Sequence, residues 1–441
     1  MKTALFLMLP APSHYTPCFG LANDLKQQGY RVVFAGTPAL AALVQESGFA
    51  FANFEYMTAY ETLTLKAFAG TLLKSAVDRR FWRGRYREFL QGIAAARHLY
   101  LTEQPDILYL DEHLNHYYPY FATYTDAVYL INTKLSTRRN AHIPPLNAGY
   151  IARAGWLSSL YSNYLWTRQQ VIKWGYHLIN TAAFLGRTDT YFHNCYIQRL
   201  ASTVRASRQS AMYSYDALPG VKTLILMSDV FEYPWMRHLP DEAVLHYWNQ
   251  PLQTADELTT ALIAWKQPDK SLIYCSVGTL AGSSAQRYMR FIQQVIDAFG
   301  GSSAHQVIIS TGRSFSEEFV STSAIPANIR LVSHVDQQAL LPYCDLMITH
   351  GGLNSVKESI AAAVPMLGIA NPADKHKDTP GNIARIVYHQ IGLRCHINDD
   401  AALIRLRAET ILTDPTFKLN VNRMREDINK QSVSKMIKIL T

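Results

Sequence analysis

Apolar residues along the chain gather in short runs separated by longer amphipathic stretches. "TALFLMLP" leads through "FGLANDLKQQG", with its helical spacing, to "RVVFAG" and then to "PALAALVQESG". Runs of this length read as strands buried on both faces, and the periodic segments between them as the helices that cover those faces. "PDILYLD" (Pro105 to Asp111) and "DAVYLIN" continue the series. The alternation predicts a doubly wound parallel sheet over the first ~130 residues.

From about Arg138 to Leu218 the pattern changes to long helical segments dense in aromatics, among them "GWLSSLYSNYLWTRQQVIKWGYHLIN". So many rings supply apolar area for a lipophilic pocket or, equally, for ordinary helix packing. "VKTLILMS" returns to strand, and the Pro-containing polar stretch "HLPDEAVLHYWNQPLQTADEL" predicts a linker. A second strand-helix series follows through "KSLIYCSVGTL", "AQRYMRFIQQVIDAFG", "HQVIISTG", "NIRLVSHV", "DLMITHGG" and "VPMLGIA". The expected domains are 1–248, with a helical insertion at about 138–218, then 249–415, then a closing helix over 416–441. Two such α/β domains in tandem predict a ligand cleft between the carboxyl ends of two sheets.

The length of 441 residues agrees with more than one core, and 48% apolar with 17% charged residues excludes a disordered or fibrous chain. Five scattered cysteines with no C-x-x-C pair predict a reduced, cytoplasmic protein without structural zinc. "MKTALFLMLP" imitates a signal peptide, yet its apolar run stops at Pro10, so a first strand is the expectation. No other run reaches the ~18 apolar residues of a membrane span.

The net charge of +8 is concentrated in places. Lys74 to Phe89 holds six basic and two acidic residues, and "STRRNAH" (Ser136 to His142) adds two arginines. Nucleic acid is the default suspicion for such a patch; an anionic surface or substrate, or a solvated helix face, are the other readings.

Candidate chemistry centres on "ITHGGLNSVKESIAAAVPMLGIA" (Ile348 to Ala370). The strand ends at His350, Gly351 and Gly352 allow a tight turn, and a helix opens near Asn354 and Ser355. A helix N-terminus presents unpaired N–H groups and partial positive charge, a seat for phosphate. Asn354 and Ser355 can cap that helix or donate to phosphate oxygens. Glu358, four residues after Asn354, lies on the same helix face, where a carboxylate can accept both hydroxyls of a ribose. A plain strand-turn-helix with Ser355 as cap is the alternative.

"THGGLNSVKESIAAAVPMLGIA" followed by "DTPGNIARI" resembles the donor-binding signature of the family 1 glycosyltransferases, the UDP-glycosyltransferase-like group that includes macrolide and plant natural-product enzymes. "VSHVDQQALLPYCDLMITHGG" is similar to the preceding part of that signature, "YCSVGTL" to the family's diphosphate loop, and "SHYTP" to its Gly-His-x-x-Pro. The resemblance implies the GT-B architecture, two Rossmann-like domains facing each other across a cleft. It implies that His350 contacts the diphosphate with Gly352, Asn354, Ser355 and Thr279, that Glu358 holds the ribose with Gln337 nearby, and that backbone at Val335 meets the base. His334 stands where the family has an aromatic, and Asp336 where it has Pro. In "PADKHKDTPGN", about two residues longer than the family pattern by alignment, Asp378 falls on the sugar-binding Asp and Thr379 replaces the Gln beside it.

Glycosyl transfer needs a base for the acceptor hydroxyl, and a histidine suits that role at neutral pH. His14 follows the first strand, and Asp111 closes "PDILYLD", where the resemblance places the family's dyad carboxylate. In "DEHLNH", His113 and His116 have metal-ligand spacing, but no third ligand stands near them in sequence and the family needs no metal, so none is expected. The resemblance implies an inverting transferase that takes a nucleotide sugar, UDP-sugar first, as co-substrate and no other cofactor. The expected acceptor is a small lipophilic molecule such as a polyketide, terpenoid, carotenoid, phenolic or lipid. Nucleic acid then drops out as a partner, and the basic segments point to peripheral membrane contact. The alternatives are a UDP-sugar epimerase or hydrolase of the same fold, or an inactive auxiliary protein.

Overall fold

The computed structural model describes residues 1–56, 65–188, 191–192, 195–196, 218, 220–249, 256–278, 285–312, 325–371 and 378–435. Thirteen strands in those residues form two wholly parallel sheets. The first contains β1 (Thr3–Leu7), β2 (Arg31–Gly36), β3 (Ala50–Asn53), β4 (Ile107–Asp111), β5 (Val128–Asn132), β6 (Thr223–Ile225) and β7 (Glu242–Val244), in the order β3-β2-β1-β4-β5-β6-β7. The second contains β8 (Ser271–Ser276), β9 (His305–Ser310), β10 (Ile329–Val332), β11 (Leu346–Thr349), β12 (Met366–Ala370) and β13 (Gly392–His396), in the order β10-β9-β8-β11-β12-β13. Both are doubly wound, and strand order reverses once in each, between β1 and β4 and between β8 and β11. Loops leaving the carboxyl ends of such a strand pair diverge to opposite faces and open a crevice there.

The run "TALFL" is buried at every position, which suits a strand at the sheet centre. Its pleat divides the core. Leu5 and Leu7 pack with Leu108, Leu110 and Leu130 beneath Phe89, Ile93 and Leu99 of the helix Arg79–Glu103. Ala4 and Phe6 face the other way, onto Phe34, Tyr109 and Leu21, Ala22 and Leu25 of the helix Phe19–Gln27. The N-terminal apolar run is thus a central strand of this sheet.

The chain divides into two compact units, one of residues 1–139, 164–227 and 237–247, the other of 140–163, 228–236 and 248–441. Two stretches ahead of residue 248, 140–163 and 228–236, group with the second unit. Buried polar chemistry explains why. Arg385 on the helix Thr379–Tyr388 pairs with Glu232 at 2.6 Å, both side chains almost wholly out of solvent, and its guanidinium lies over the Tyr233 ring. Tyr233 and Trp235 also pack on Tyr388, and the Gly381 amide donates to the Leu146 carbonyl.

The polar stretch read as a linker is partly sheet. Glu242–Val244 forms β7, because Ser136 and Arg138 of the same unit hold the Glu242 carboxylate while Arg138 also pairs with Asp241. The aromatic insertion is helical over Trp156–Ala183, and the closing helix is Pro415–Lys435. Among the described residues no helix is long and apolar enough to cross a membrane.

Candidate active site

His14 lies in the short helical turn Pro12–Tyr15 just after β1, and Asp111 is the last residue of β4. The β1–β4 switch point therefore brings together two residues 97 apart in sequence. His14 Nδ1 and Asp111 Oδ2 are 2.7 Å apart, with the residues 8% and 1% exposed. Asp111 caps the turn that follows it by accepting from the His113 amide at Oδ1, 2.9 Å away. The His113 ring adds Nδ1 at 3.0 Å to the same oxygen, and the Leu9 amide reaches Oδ2 at 3.3 Å. Burial by itself would push this carboxyl up. The attraction of His14, followed by hydrogen bonds from His113 and His14, overrides burial and holds it well below the usual range.

An ionised carboxylate only accepts, so both ring Nδ1 atoms donate and carry the proton. For neutral His14 that leaves Nε2 with the lone pair. For His113 the other side agrees: Lys134 Nζ, which has no lone pair, stands 3.3 Å from Nε2 and must donate to it. Thr133 Oγ1 lies 3.4 Å from His14 Nδ1.

The expectation that no third metal-type ligand stands near His113 is corrected here. His14, Asp111 and His113 place ligand atoms within 4.8 Å of one another, because folding brings the end of β1 beside that of β4. His116 does not join them; its ring packs on Tyr117. With both Nδ1 atoms on the carboxylate and an ammonium at the far nitrogen of His113, the cluster has the wiring of an acid-base dyad steadied by a second imidazole.

Glu112 is buried beside the dyad with Oε1 accepting from Thr137 Oγ1 at 2.9 Å. Burial is the main cause that raises its carboxyl to about 7, with Asp111 and Glu242 adding repulsion and Thr137 and Arg138 pulling the other way.

The second sheet's switch point carries the other constellation. β11 ends at Thr349, His350 follows, and the helix Leu353–Ala361 opens with Gly352 as N-cap and no side-chain cap. Gly351 takes φ +83°, a left-handed conformation that glycine alone adopts at no steric cost. Gly352 has a second role, since a Cβ there would come within 2.6 Å of His350 Nε2. Gly278, after β8, crowds the same ring from the other loop at 2.6 Å. Two glycines thus seat the His350 imidazole beside a helix N-terminus, a favourable place for anionic oxygens.

Glu358 lies two turns in, partly buried, and its carboxylate accepts from Asn249 Nδ2 at 2.7 Å, from Gln337 Nε2 and from Gln338 Nε2 at 3.3 Å. Burial raises this carboxyl, while the amides of Asn249 and Gln337 oppose the shift. Gln337 follows buried Val335, and Asp336 between them caps the helix Gln337–Leu340 by accepting from the Gln338 and Ala339 amides at 3.1 Å. That cap accounts for Asp where the related signature has Pro. His334 is exposed. Asp378 Oδ2 accepts from Asn382 Nδ2, which also donates to the Gly351 carbonyl at 2.9 Å, so the segment is tied to the glycine turn. Thr379 is buried at the start of its helix. Asn354 and Ser355 sit in the first turn of the Leu353–Ala361 helix, half-buried. Thr279 lies outside the described residues, as does 372–377 in the lengthened "PADKHKDTPGN" segment.

Reasoning from sequence missed Thr133, Lys134, Asn249 and Gln338. Thr133 and Lys134 could have been found by asking which residues follow β5 at the same sheet edge; Asn249 fell in the stretch read as linker and gave no signal.

The fold and the sequence are similar to those of known proteins. Residues 294–438 match the erythromycin biosynthesis protein CIII-like C-terminal domain. The NDP-glycosyltransferase YjiC of Bacillus subtilis (strain 168) is 24% identical over 365 residues, 82% of this chain and 77% of that protein. The zeaxanthin glucosyltransferase of Pantoea ananas is 29% identical over 150 residues, 34% of this chain and 33% of the relative. The solved structure of the glycosyltransferase of kitacinnamycin superposes with a TM-score of 0.66 at 15% identity, covering 98% of this chain and 95% of that one. The fold is that of the GT-B glycosyltransferases. With the donor signature and these relatives together, the chain is similar to the family 1 glycosyltransferases.

Proposed function

We propose that this protein is an inverting glycosyltransferase that moves a sugar from a nucleotide donor, UDP-sugar first, to a hydroxyl of a small lipophilic acceptor. The observation that carries the reading is the buried His14–Asp111 pair at 2.7 Å, which fixes Nδ1 as donor and leaves Nε2 as base. His14 Nε2 takes the acceptor proton as the acceptor oxygen bonds to the anomeric carbon. The bond from that carbon to the diphosphate oxygen breaks, and its electron pair leaves with the diphosphate. Asp111 stabilises the imidazolium formed. On the donor side, His350, Gly352, Asn354, Ser355 and Thr279 hold the diphosphate, Glu358 and Gln337 the ribose, and backbone at Val335 the base. Asp378 and Thr379 read the sugar, with Thr in place of Gln altering the hydrogen bonds offered to it. Helix N–H groups and His350 supply the positive field that the leaving group needs, so the reading calls for no metal.

Relatives named for a carotenoid and for natural products support a lipophilic acceptor, and a cytoplasmic enzyme of this kind meets such acceptors at membranes. We therefore also place peripheral membrane contact in this reading, with the basic segment 74–89 as its first candidate. Incubation with UDP-, dTDP- and GDP-sugars and a panel of lipophilic alcohols, read by mass spectrometry, tests the reaction. Glycosylated acceptor is expected. Free sugar or an epimerised donor without transfer, or no turnover at all, would replace it with the hydrolase, epimerase or inactive reading.

A further inference from the structure

The helix Trp156–Ala183 carries an exposed apolar stripe. Ser158 and Ser162 are buried, whereas Leu157, Leu160, Tyr164, Val171, Trp174 and Leu178 are 45–64% exposed. These six fall at spacings of three, four and seven residues, so they form one stripe along the helix, about 32 Å long at 1.5 Å per residue. Trp156, 74% exposed, extends it at the N-terminal end. A stripe of this size on a soluble fold marks an interaction surface.

Its charge says what covers it. From Arg153 to Arg187 the chain has four Arg or Lys residues and no Asp or Glu. Arg153, Arg168 and Arg187 are exposed, and Lys173 is half-buried. A second copy of the helix would bring like charges together, and an apolar protein partner would offer no counter-charge to the exposed Arg153 and Arg168. An anionic bilayer satisfies both features: Trp, Leu and Val enter the headgroup–acyl boundary while the exposed Arg153 and Arg168 stay with the lipid phosphates. The helix is not apolar enough to cross the membrane, so it lies in the surface plane.

We infer that the 156–178 stripe docks the protein on anionic lipid. The inference rests on the membrane contact proposed above and moves it from the basic segment 74–89 to this helix. Vesicle flotation tests it, using phosphatidylcholine with phosphatidylglycerol against phosphatidylcholine alone. The variants are L160S/V171S/W174S on the stripe and R83E/R87E on the basic segment, all at exposed positions, with melting temperatures checking that each folds. Wild type should bind the anionic vesicles, weaken with salt, and bind phosphatidylcholine about tenfold less. The stripe variant should lose about tenfold in binding at an unchanged melting temperature. Full binding by the stripe variant and loss in R83E/R87E would overturn this inference while leaving membrane contact standing. A wild type that binds neither vesicle would overturn both. A dimer that the stripe variant dissociates would show the surface to be a self-interface and overturn the lipid assignment.

Discussion

Asp111 shows how a single side chain is prepared for chemistry by its surroundings. Four hydrogen-bond contacts, two from backbone amides and two from imidazoles, hold it ionised in a buried place. Replacing it with Asn removes the charge that stabilises protonated His14, and turnover should fall about 10²–10⁴-fold with donor affinity unchanged. Calorimetric titration of donor beside steady-state rates checks the split. Glu112 next to it carries a cost instead. Its carboxyl rises from 4.5 to about 7 on folding, so the folded state prefers the neutral form. Glu112's contribution to stability should decline as pH rises from 4.5 to 7, so Glu112→Gln should exceed wild type above pH 7 by up to about 3 kcal/mol, the gap closing below 4.5. Equal pH profiles of denaturant melts for the two proteins would refute this. At this scale Asp111 was legible because it closes the apolar run of β4, and His14 because "SHYTP" after the first strand resembles the family's Gly-His-x-x-Pro. His113 and Lys134 were not legible in their present roles, since nothing in "DEH" or "NTK" shows which side of a carboxylate they reach.

Among elements, the strand-turn-helix at His350 depends on glycine for space as much as for conformation. Gly278→Ala would strain a residue at φ +75° and press a methyl on the His350 ring. We expect a loss of about 1–2 kcal/mol and a weaker thermal shift by UDP, since the ring proposed to contact the diphosphate must move. An undiminished shift would remove the ring from that role. The Thr379–Tyr388 helix is fastened by the buried Arg385–Glu232 pair. Arg385→Met leaves Glu232 uncompensated and should cost about 3–5 kcal/mol, whereas R385M/E232L should recover most of it. His389, just after that helix, places Nε2 3.1 Å from the Phe231 carbonyl, and burial lowers it from 6.5 to about 4. The unfolded chain takes the proton first, so the stability His389 gives is whole above 6.5 and is lost as pH falls toward 4. His389→Gln should flatten that acid limb. The glycine turn was legible in sequence, but the close approach of Gly278 to His350 was not, because it joins loops about 70 residues apart.

Over the whole molecule, strand and helix alternation gave the fold class, and both sites sit where each sheet reverses its strand order. The partition was less legible. Segments 140–163 and 228–236 read as first-domain sequence yet belong with the second unit, because their polar and aromatic side chains find partners there. Pairing at a distance leaves no local period to read. The first unit carries the His14–Asp111 pair, proposed as base and counter-charge, and the second carries a glycine-lined histidine, a helix N-terminus and an amide-held carboxylate. The division of labour predicts that damage to the base leaves donor binding intact. The most direct measurement is the rate of sugar transfer by His14→Ala at saturating donor and acceptor. The account predicts a fall of about 10²–10⁴-fold relative to wild type. A rate within a fewfold of wild type would contradict it.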